Sequence, residues 1–488
     1  MAHPKLRQLE SSVQMRLYTL TKRQFVLVFV GFFSCFVITF IIGLAGPPII
    51  SQNTLTARQL DPKVNLMTGP FKMESGMLTV FNQQLWLLCK LQISGLRKKE
   101  FTFEKQFRVF VKIMGRNKHT SSYKLLSQSF HNRTRTIKCT VKGCEHFVVL
   151  HISNIEHPSY QISIRFHELS FPSVLKVRNI LFMFKYYNAE FTQIEIWFRF
   201  AFLVLSFTVT CLFAHTLKRF PLREWTIEQK WMSLLLPLLL LYDDPIFPLN
   251  FLLHSWIPLA IDAVFQVTFL AAMLMFWLCA FHGIRQSERT FVGFYLPKIM
   301  IVGIMWVIGC VLLGWQQHNE LFDPSYQYKV DIGHFVGLKI FFFIVGGIYL
   351  LYLIILIVKA YFELRNMPYF DVRVKFLTGL MLSVVAISLT ATGMRFGTAI
   401  VQDNFVAEIT TQYQNSAEFL CFYGLFNFYL YTMAFVYSPS KSAVKDALNR
   451  DNTSFTMLYD SDEDVIYGRK SSKRGTPKED KSEEEDAF

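Results

Sequence analysis

The sequence predicts an α+β membrane protein. It should have an amino-terminal apolar helix, a β-sandwich outside the membrane, a bundle of seven further transmembrane helices, and a disordered acidic tail. Three observations predict it. First, long charge-free apolar runs recur between residues 196 and 437, and a mean hydropathy of +0.29 with 52% hydrophobic residues in 488 is too apolar for a soluble chain of this size. Second, residues 46–193 carry no such run and instead alternate apolar with polar positions, the period of a strand. Third, after residue 437 the apolar pattern stops and charge and Ser take over. The net charge of +14 does not point to nucleic acid, because the basic residues gather at the ends of apolar runs rather than along a stripe.

Residues 1–24 are basic (Lys5, Arg7, Arg16, Lys22, Arg23) and are expected in the cytosol. Phe25 to Leu44 holds no charge and is longer than the apolar core of a usual signal peptide. It reads as an uncleaved signal-anchor helix, 25–44; cleavage after Ala45 is the alternative.

The block 46–193 follows. Its strand-like stretches are LTVFNQQLWLLCKLQIS, FEKQFRVFVKI, RTRTIKCTV, HFVVLHIS, YQISIRFHEL and ILFMFKYYN, separated by turn residues such as Lys142-Gly143 and His157-Pro158-Ser159. Short strands at this spacing favour a sandwich. Asn132-Arg133-Thr134 is a glycosylation sequon. Of the eight cysteines, five lie in apolar runs, while Cys89, Cys139 and Cys144 fall in this block. Sequon and cysteines together suggest an oxidising, lumenal or extracellular side. One disulfide is expected. Cys89 with Cys139 or Cys144 is favoured, and a local Cys139–Cys144 link is the other choice, since spacing does not decide connectivity.

The bundle spans 196–437, with expected helices at 196–217, 231–252, 257–281, 297–315, 337–358, 377–394 and 417–437. Lys and Arg arbitrate the orientation. Lys218, Arg219, Arg223, Lys230, Arg285, Arg289, Lys298, Lys359, Arg365, Arg373 and Lys375 fall in alternate loops, while the others carry little beyond Lys329 and Arg395. That asymmetry puts the sandwich outside and both termini in the cytosol. Residues 438–488 form the tail. Ser461 precedes Asp462-Glu463-Asp464 and Ser482 precedes Glu483-Glu484-Glu485, a context that suits an acid-directed kinase. Such a tail can also bind cytosolic sorting adaptors, or merely solubilise.

The stretch WMSLLLPLLLLYDDPIFPLN, 231–250, is where chemistry is expected. If Lys230 marks one membrane face, Asp243 and Asp244 lie ~18–20 Å inside a hydrocarbon core ~30 Å thick. An ionised Asp at that depth costs ~2.5–3.5 kcal/mol on insertion scales, so the pair should face a wet or protein-lined cavity. Pro237, Pro245 and Pro248 break the helix around it. The alternative is a short span with the acids in a re-entrant turn. Asp262, about one turn into the next helix, can line the same cavity or lie at the interface. Arg199 can join it too, or form a local ion pair with Glu195 one turn away. His254 is a further candidate intramembrane ionisable residue, His215 and Lys339 are expected at interfaces, and Arg395 and Glu418 at the surface.

Long strings along the whole chain resemble the transmembrane protein 181 family: MRLYTLTKRQFVLVFV (15–30), QQLWLLC (83–89), HNRTRT (131–136), EIWFRF (195–200), IEQKWMSLLLPLLLLYDDPIFPL (227–249) and FNFYLYTMAFVYSPS (426–440). The bundle more distantly resembles Wntless and other seven-helix proteins that carry a lumenal GOLD-type sandwich. The resemblance implies a GOLD-like sandwich over a G-protein-coupled-receptor-like bundle. It also implies a central cavity open sideways to lipid, and roles in secretory or endosomal trafficking. The span at 25–44 is additional to those seven helices, and no Wnt-carrying signature appears, so a Wnt cargo does not transfer.

No H-E-x-x-H, G-x-S-x-G, P-loop or paired-Cys metal spacing occurs, so no enzyme, cofactor or metal is expected. The leading expectation is a trafficking or cargo receptor of the Golgi, endosomes or plasma membrane. Its partners would be a protein ligand on the sandwich, membrane lipid in the bundle, and adaptors on the tail. A signalling receptor is the rival, but the seventh helix carries Asn427-Phe428-Tyr429 and the third ends in no Asp-Arg-Tyr. A cation channel or transporter is third, without visible inverted repeats.

Overall fold

The computed structural model describes residues 13–94, 102–116, 123–125, 131–140, 143–171, 176–253, 257–285, 290–326, 336–364, 368–396 and 415–448. Ser461, Ser482 and His254, and the side chains of Lys339 and Arg395, lie outside the described residues.

The outer domain is two antiparallel sheets. Its strands are β1 (Ile50–Thr56), β2 (Phe71–Glu74), β3 (Leu85–Ser94), β4 (Thr102–Arg116), β5 (Tyr123–Leu125), β6 (His131–Thr140), β7 (Gly143–Cys144), β8 (Phe147–Ile152), β9 (Tyr160–His167) and β10 (Lys176–Tyr187). One sheet runs β1-β10-β3-β8 and the other β2-β9-β4-β6-β7, with β5 on β4. Alternate residues point inward: Leu85, Leu87, Cys89 and Leu91 from β3 meet Phe107, Val109, Val111 and Ile113 from β4 in one core. Sequence alternation finds β3, β4, β6, β8, β9 and β10. It misses β1, whose Ser51-Gln52-Asn53-Thr54 carries no apolar period. That edge strand is held by its backbone register on β10, from Ile50 opposite Tyr187 to Thr56 opposite Leu181.

The disulfide is the local one. Cys139 is joined to Cys144, and Cys89 is a free, buried thiol. The reason is register. Gly143, whose φ of +122° suits glycine, pairs with Thr140, and that register sets Cys139 directly opposite Cys144. Cys89 instead sits opposite Phe147 and Phe182 in the core, where burial pushes its thiol well above the usual value. The expected Cys89 bridge is therefore replaced by packing.

Eight longer helices follow among the described residues: α1 (Lys22–Ala45), α2 (Ala189–Leu217), α3 (Ile227–Tyr242), α4 (Ile257–Arg285), α5 (Leu296–Phe322), α6 (Val336–Leu364), α7 (Pro368–Phe396) and α8 (Ser416–Tyr437). Seven of them are long and apolar enough to cross a membrane. The exception is α3. Its 16 residues reach about 24 Å, short of a hydrocarbon core of ~30 Å. The expected continuous span 231–252 thus stops at Tyr242. Beyond it come a turn and the four-residue helix Leu249–Leu252. Asp244 adopts φ +56°, a left-handed turn conformation that Asp tolerates, with Pro245 next.

The first helix packs on the last. At the outer end of α1, a Cβ on Gly43 would lie 2.6 Å from Ala417 Cα, so only glycine permits this approach. At the other end Phe25 and Phe29 lean onto Phe376 of α7. Before α1, the segment from Val13 lies across the same face. Val13 N–H donates to Glu224 O (3.0 Å), Arg16 N–H to Ser438 O (2.9 Å), and Ser440 N–H to Gln14 O (2.8 Å).

The sandwich is clamped to the bundle where α5 ends. Asp323 accepts from Arg133 Nε (3.0 Å) and lies 3.0 Å from His131 Nδ1, while Arg135 reaches Ser325 O. Burial disfavours ionisation of Asp323, but the bonds from His131, Ser325 and Arg133 outweigh it and hold the carboxyl well below its ordinary value. Its contribution is present above the ordinary carboxylate range and persists at mildly acid pH. His151 behaves oppositely. It stacks on Trp86 (5.1 Å), its ring nitrogen lies 3.1 Å from Gln84 Oε1, and its backbone N–H donates to Pro324 O. Burial pushes this imidazole down to about 4. Between the ordinary value of ~6.5 and that value the unfolded chain binds more protons, so stability falls as pH falls, by on the order of 2 kcal/mol at pH 5. The purified protein should therefore melt lower at pH 5.0 than at pH 7.4. His151→Gln should shrink that difference, and an equal drop in both proteins would place the pH sensitivity elsewhere.

Candidate functional site

One face of α2 carries Glu195, Arg199, Phe202 and Ser206, spaced four, three and four apart, and all four are buried. That stripe organises the polar interior of the bundle. Arg199 Nε and Nη2 donate to Glu195 Oε1 at 3.2 and 3.0 Å. Its Nη1 lies 3.4 Å from Asp244 Oδ2 and 3.9 Å from Asp262 Oδ1. The guanidinium plane is enclosed by aromatic rings, with Phe247 at 4.1 Å and Tyr423 at 4.9 Å.

About two turns farther along α2 from Arg199, Ser206 Oγ donates to Asp243 Oδ2 (2.6 Å). Asn427 Nδ2, from α8, donates to the other oxygen, Oδ1 (2.8 Å). Tyr431 O–H lies 2.8 Å from Ser206 Oγ and 2.9 Å from Asn427 Oδ1. Asp243 is thus held by neutral donors, without a cation in contact.

One guanidinium cannot neutralise four carboxyls. Each acid therefore has a neutral donor of its own as well. Asp262 accepts from Gln266 Nε2 (2.8 Å), Asp244 from Ile246 N–H (3.3 Å), and Glu195 from Gln83 Nε2 (3.1 Å). These bonds offset the cost of dehydrating the carboxyls.

Gln83 belongs to the sandwich. It follows the short turn Val80–Asn82 with φ +51°, and its amide also donates to Thr192 Oγ1 (3.0 Å). Thr192 in turn donates to Phe81 O (2.7 Å). A continuous line of side chains therefore runs from the outer domain through Glu195 to Arg199 and the acids.

The structure brings Arg199, Asp243, Asp244 and Asp262 into one neighbourhood. Arg199 makes both of the contacts expected as alternatives, the local pair with Glu195 and the contact with the acids. All three acids are buried, Asp244 and Asp262 beside Arg199 and Asp243 beside Ser206 and Asn427. Asn132, paired with Phe110 across β6 and β4, is exposed and lies far along the chain from this centre. Among the described residues no group of His, Cys, Asp and Glu is arranged to hold a metal ion.

Sequence reading did not single out Gln83, Ser206, Gln266 or Tyr431, nor assign Asn427 to this centre. It also did not pair Glu228 at the start of α3 with Arg373 in α7. Arg373 Nε donates to Glu228 Oε1 (2.7 Å) and Nη2 to Oε2, with both side chains buried. By sequence Arg373 is a basic residue of a loop at a span end.

Comparison with known proteins agrees with this architecture. The family model described as "TMEM181, GOLD domain" matches residues 69–187, and "Wntless-like, transmembrane domain" matches residues 188–441. The chain is 50% identical to transmembrane protein 181 of Homo sapiens over 462 residues, covering 94% of this chain and 95% of that protein. The chain belongs to the transmembrane protein 181 family. Within that family frame, the sandwich is the GOLD domain and the bundle the Wntless-like region. The wntless homologs B and A of Xenopus laevis are each 26% identical over 211 residues, 38% of either chain.

Proposed function

We propose that this multi-pass membrane protein is a trafficking receptor of the secretory and endosomal membranes. The GOLD domain takes up a lumenal or extracellular ligand, and the bundle responds through the polar line from Gln83. The observation that carries this reading is that line. It joins a turn of the outer domain to Glu195, Arg199, Asp244 and Asp262 by direct contacts of 3.0–3.9 Å. A ligand that shifts the Val80–Gln83 turn changes the surroundings of buried charges, where small displacements carry large energies. The basic residues at span ends support cytosolic termini. Sorting is assigned to the acidic tail with Ser461 and Ser482, through cytosolic adaptors.

A cation-conducting reading gains little support, because the Arg199 guanidinium already occupies the place among the acids that a permeating cation would take. A signalling receptor is the second reading. The Glu228–Arg373 pair favours it, since it closes α3 against α7 at the end opposite the sandwich.

In cells, a chain ending at residue 454 should redistribute between Golgi, endosomes and the plasma membrane. It should keep an amidase-sensitive mobility shift that Asn132→Gln removes. Unchanged distribution would rule out tail-directed sorting, and the lack of any shift would rule out the lumenal placement of the sandwich.

A further inference from the structure

We propose that the groove between α1, α2 and α8 binds one acyl chain of an anionic glycerophospholipid. The first helix is pinned to α8 at Gly43 and to α7 at Phe25 and Phe29, and a groove lies open between it, α2 and α8. The wedge left open has a volume of about 630 Å³ and opens sideways from the bundle. That size lies within the ~300–1,000 Å³ of sites that hold small ligands.

The walls decide the chemistry of the occupant. Leu27, Val28 and Cys35 of α1 face Leu205 and Val209 of α2, with Phe428 of α8 behind them. These residues lie within membrane-spanning helices, where hydrocarbon is the available filler. The room at Gly31 is real: a Cβ built there meets nothing within 4 Å.

The mouth decides the headgroup. Phe435 lines the groove at its first-turn end, and the Arg16 guanidinium lies 5.1 Å over that ring. Gln24 lines the same end, next to the exposed Lys22 and Arg23 on the first turn of α1. The Arg16 guanidinium beside this mouth complements a lipid that carries net negative charge as well as a phosphate.

Tyr431 is part of the groove wall, and its hydroxyl is the one bonded to Ser206 and Asn427 beside Asp243. The bound chain therefore packs against a residue of the buried polar centre.

The test uses purified full-length protein and native mass spectrometry after incubation with dioleoyl phosphatidylserine or dioleoyl phosphatidylcholine. The wild type should retain one phosphatidylserine, with a several-fold preference over phosphatidylcholine. Gly31→Phe should fill the groove and abolish retention while leaving the melting temperature unchanged; Cys35→Trp, on the same wall, serves as a second block should Gly31→Phe misfold. Arg16→Gln should keep one bound lipid but lose the preference. Equal retention of both lipids by the wild type, or retention undiminished in the filled variants, would overturn the site and leave only annular lipid. A co-purifying sterol in place of phospholipid would overturn it as well.

Discussion

Replacing Arg199 by methionine should destabilise the bundle by about 3–5 kcal/mol, the cost of removing one partner of a buried charge pair. The side chain is 6% exposed and serves Glu195, Asp244 and Asp262 together. Methionine fills much of the volume but leaves three carboxyls with only their neutral donors. The expected readout is a marked fall in the melting temperature of detergent-solubilised protein, with lower steady-state levels in cells. Adding Asp244→Asn and Asp262→Asn to the same chain should recover a large part of the loss, because amides do not need a countercharge. A loss under about 1 kcal/mol would mean that water reaches the centre and screens it.

The second large effect is expected at the opposite end of the bundle. Arg373→Met alone should also cost about 3–5 kcal/mol, since Glu228 is fully buried and would keep an uncompensated charge. The double variant Glu228→Leu with Arg373→Met should be far less damaged than either single change. Buried ion pairs replaced by apolar groups of similar volume are often neutral in stability. A double-mutant cycle measures the coupling directly. Additive losses would show that the two side chains do not act as a pair. If the closure of α3 against α7 holds a resting state, the double variant should differ from the wild type in ligand response while remaining folded.

Much of this architecture is legible in the residues because it depends on local pattern. The alternation in Leu85–Ser94 or Tyr160–His167 reports two faces of a sheet, and the charge-free run of α1 reports its environment. The end of α3 is also written locally, in Asp243-Asp244-Pro245. The partners of those acids are not. Asn427 is 184 residues from Asp243, and Arg199 is 45 from Asp244. Only the packing of α2, α3, α4 and α8 brings them together, and no spacing rule reaches that far. Glu228 and Arg373 illustrate the same limit. A charge at a helix end reads as facing water until a neighbouring helix is seen to cover it. The disulfide fails for a finer reason. Three cysteines admit several pairings, and the choice is settled by the β6–β7 register and by the inward direction of Cys89.

The contact between α1 and α8 has a bearing on biogenesis. Helices enter a membrane in the order in which they are synthesised. The helix Lys22–Ala45 meets its partner α8 only when Ala417 and the residues after it have emerged. Until then the groove of small residues at Gly43 and Gly46 has no match. A nascent chain halted before α8 should therefore be a client for membrane chaperones and quality-control ligases, and the docking of α8 is the event that ends that exposure.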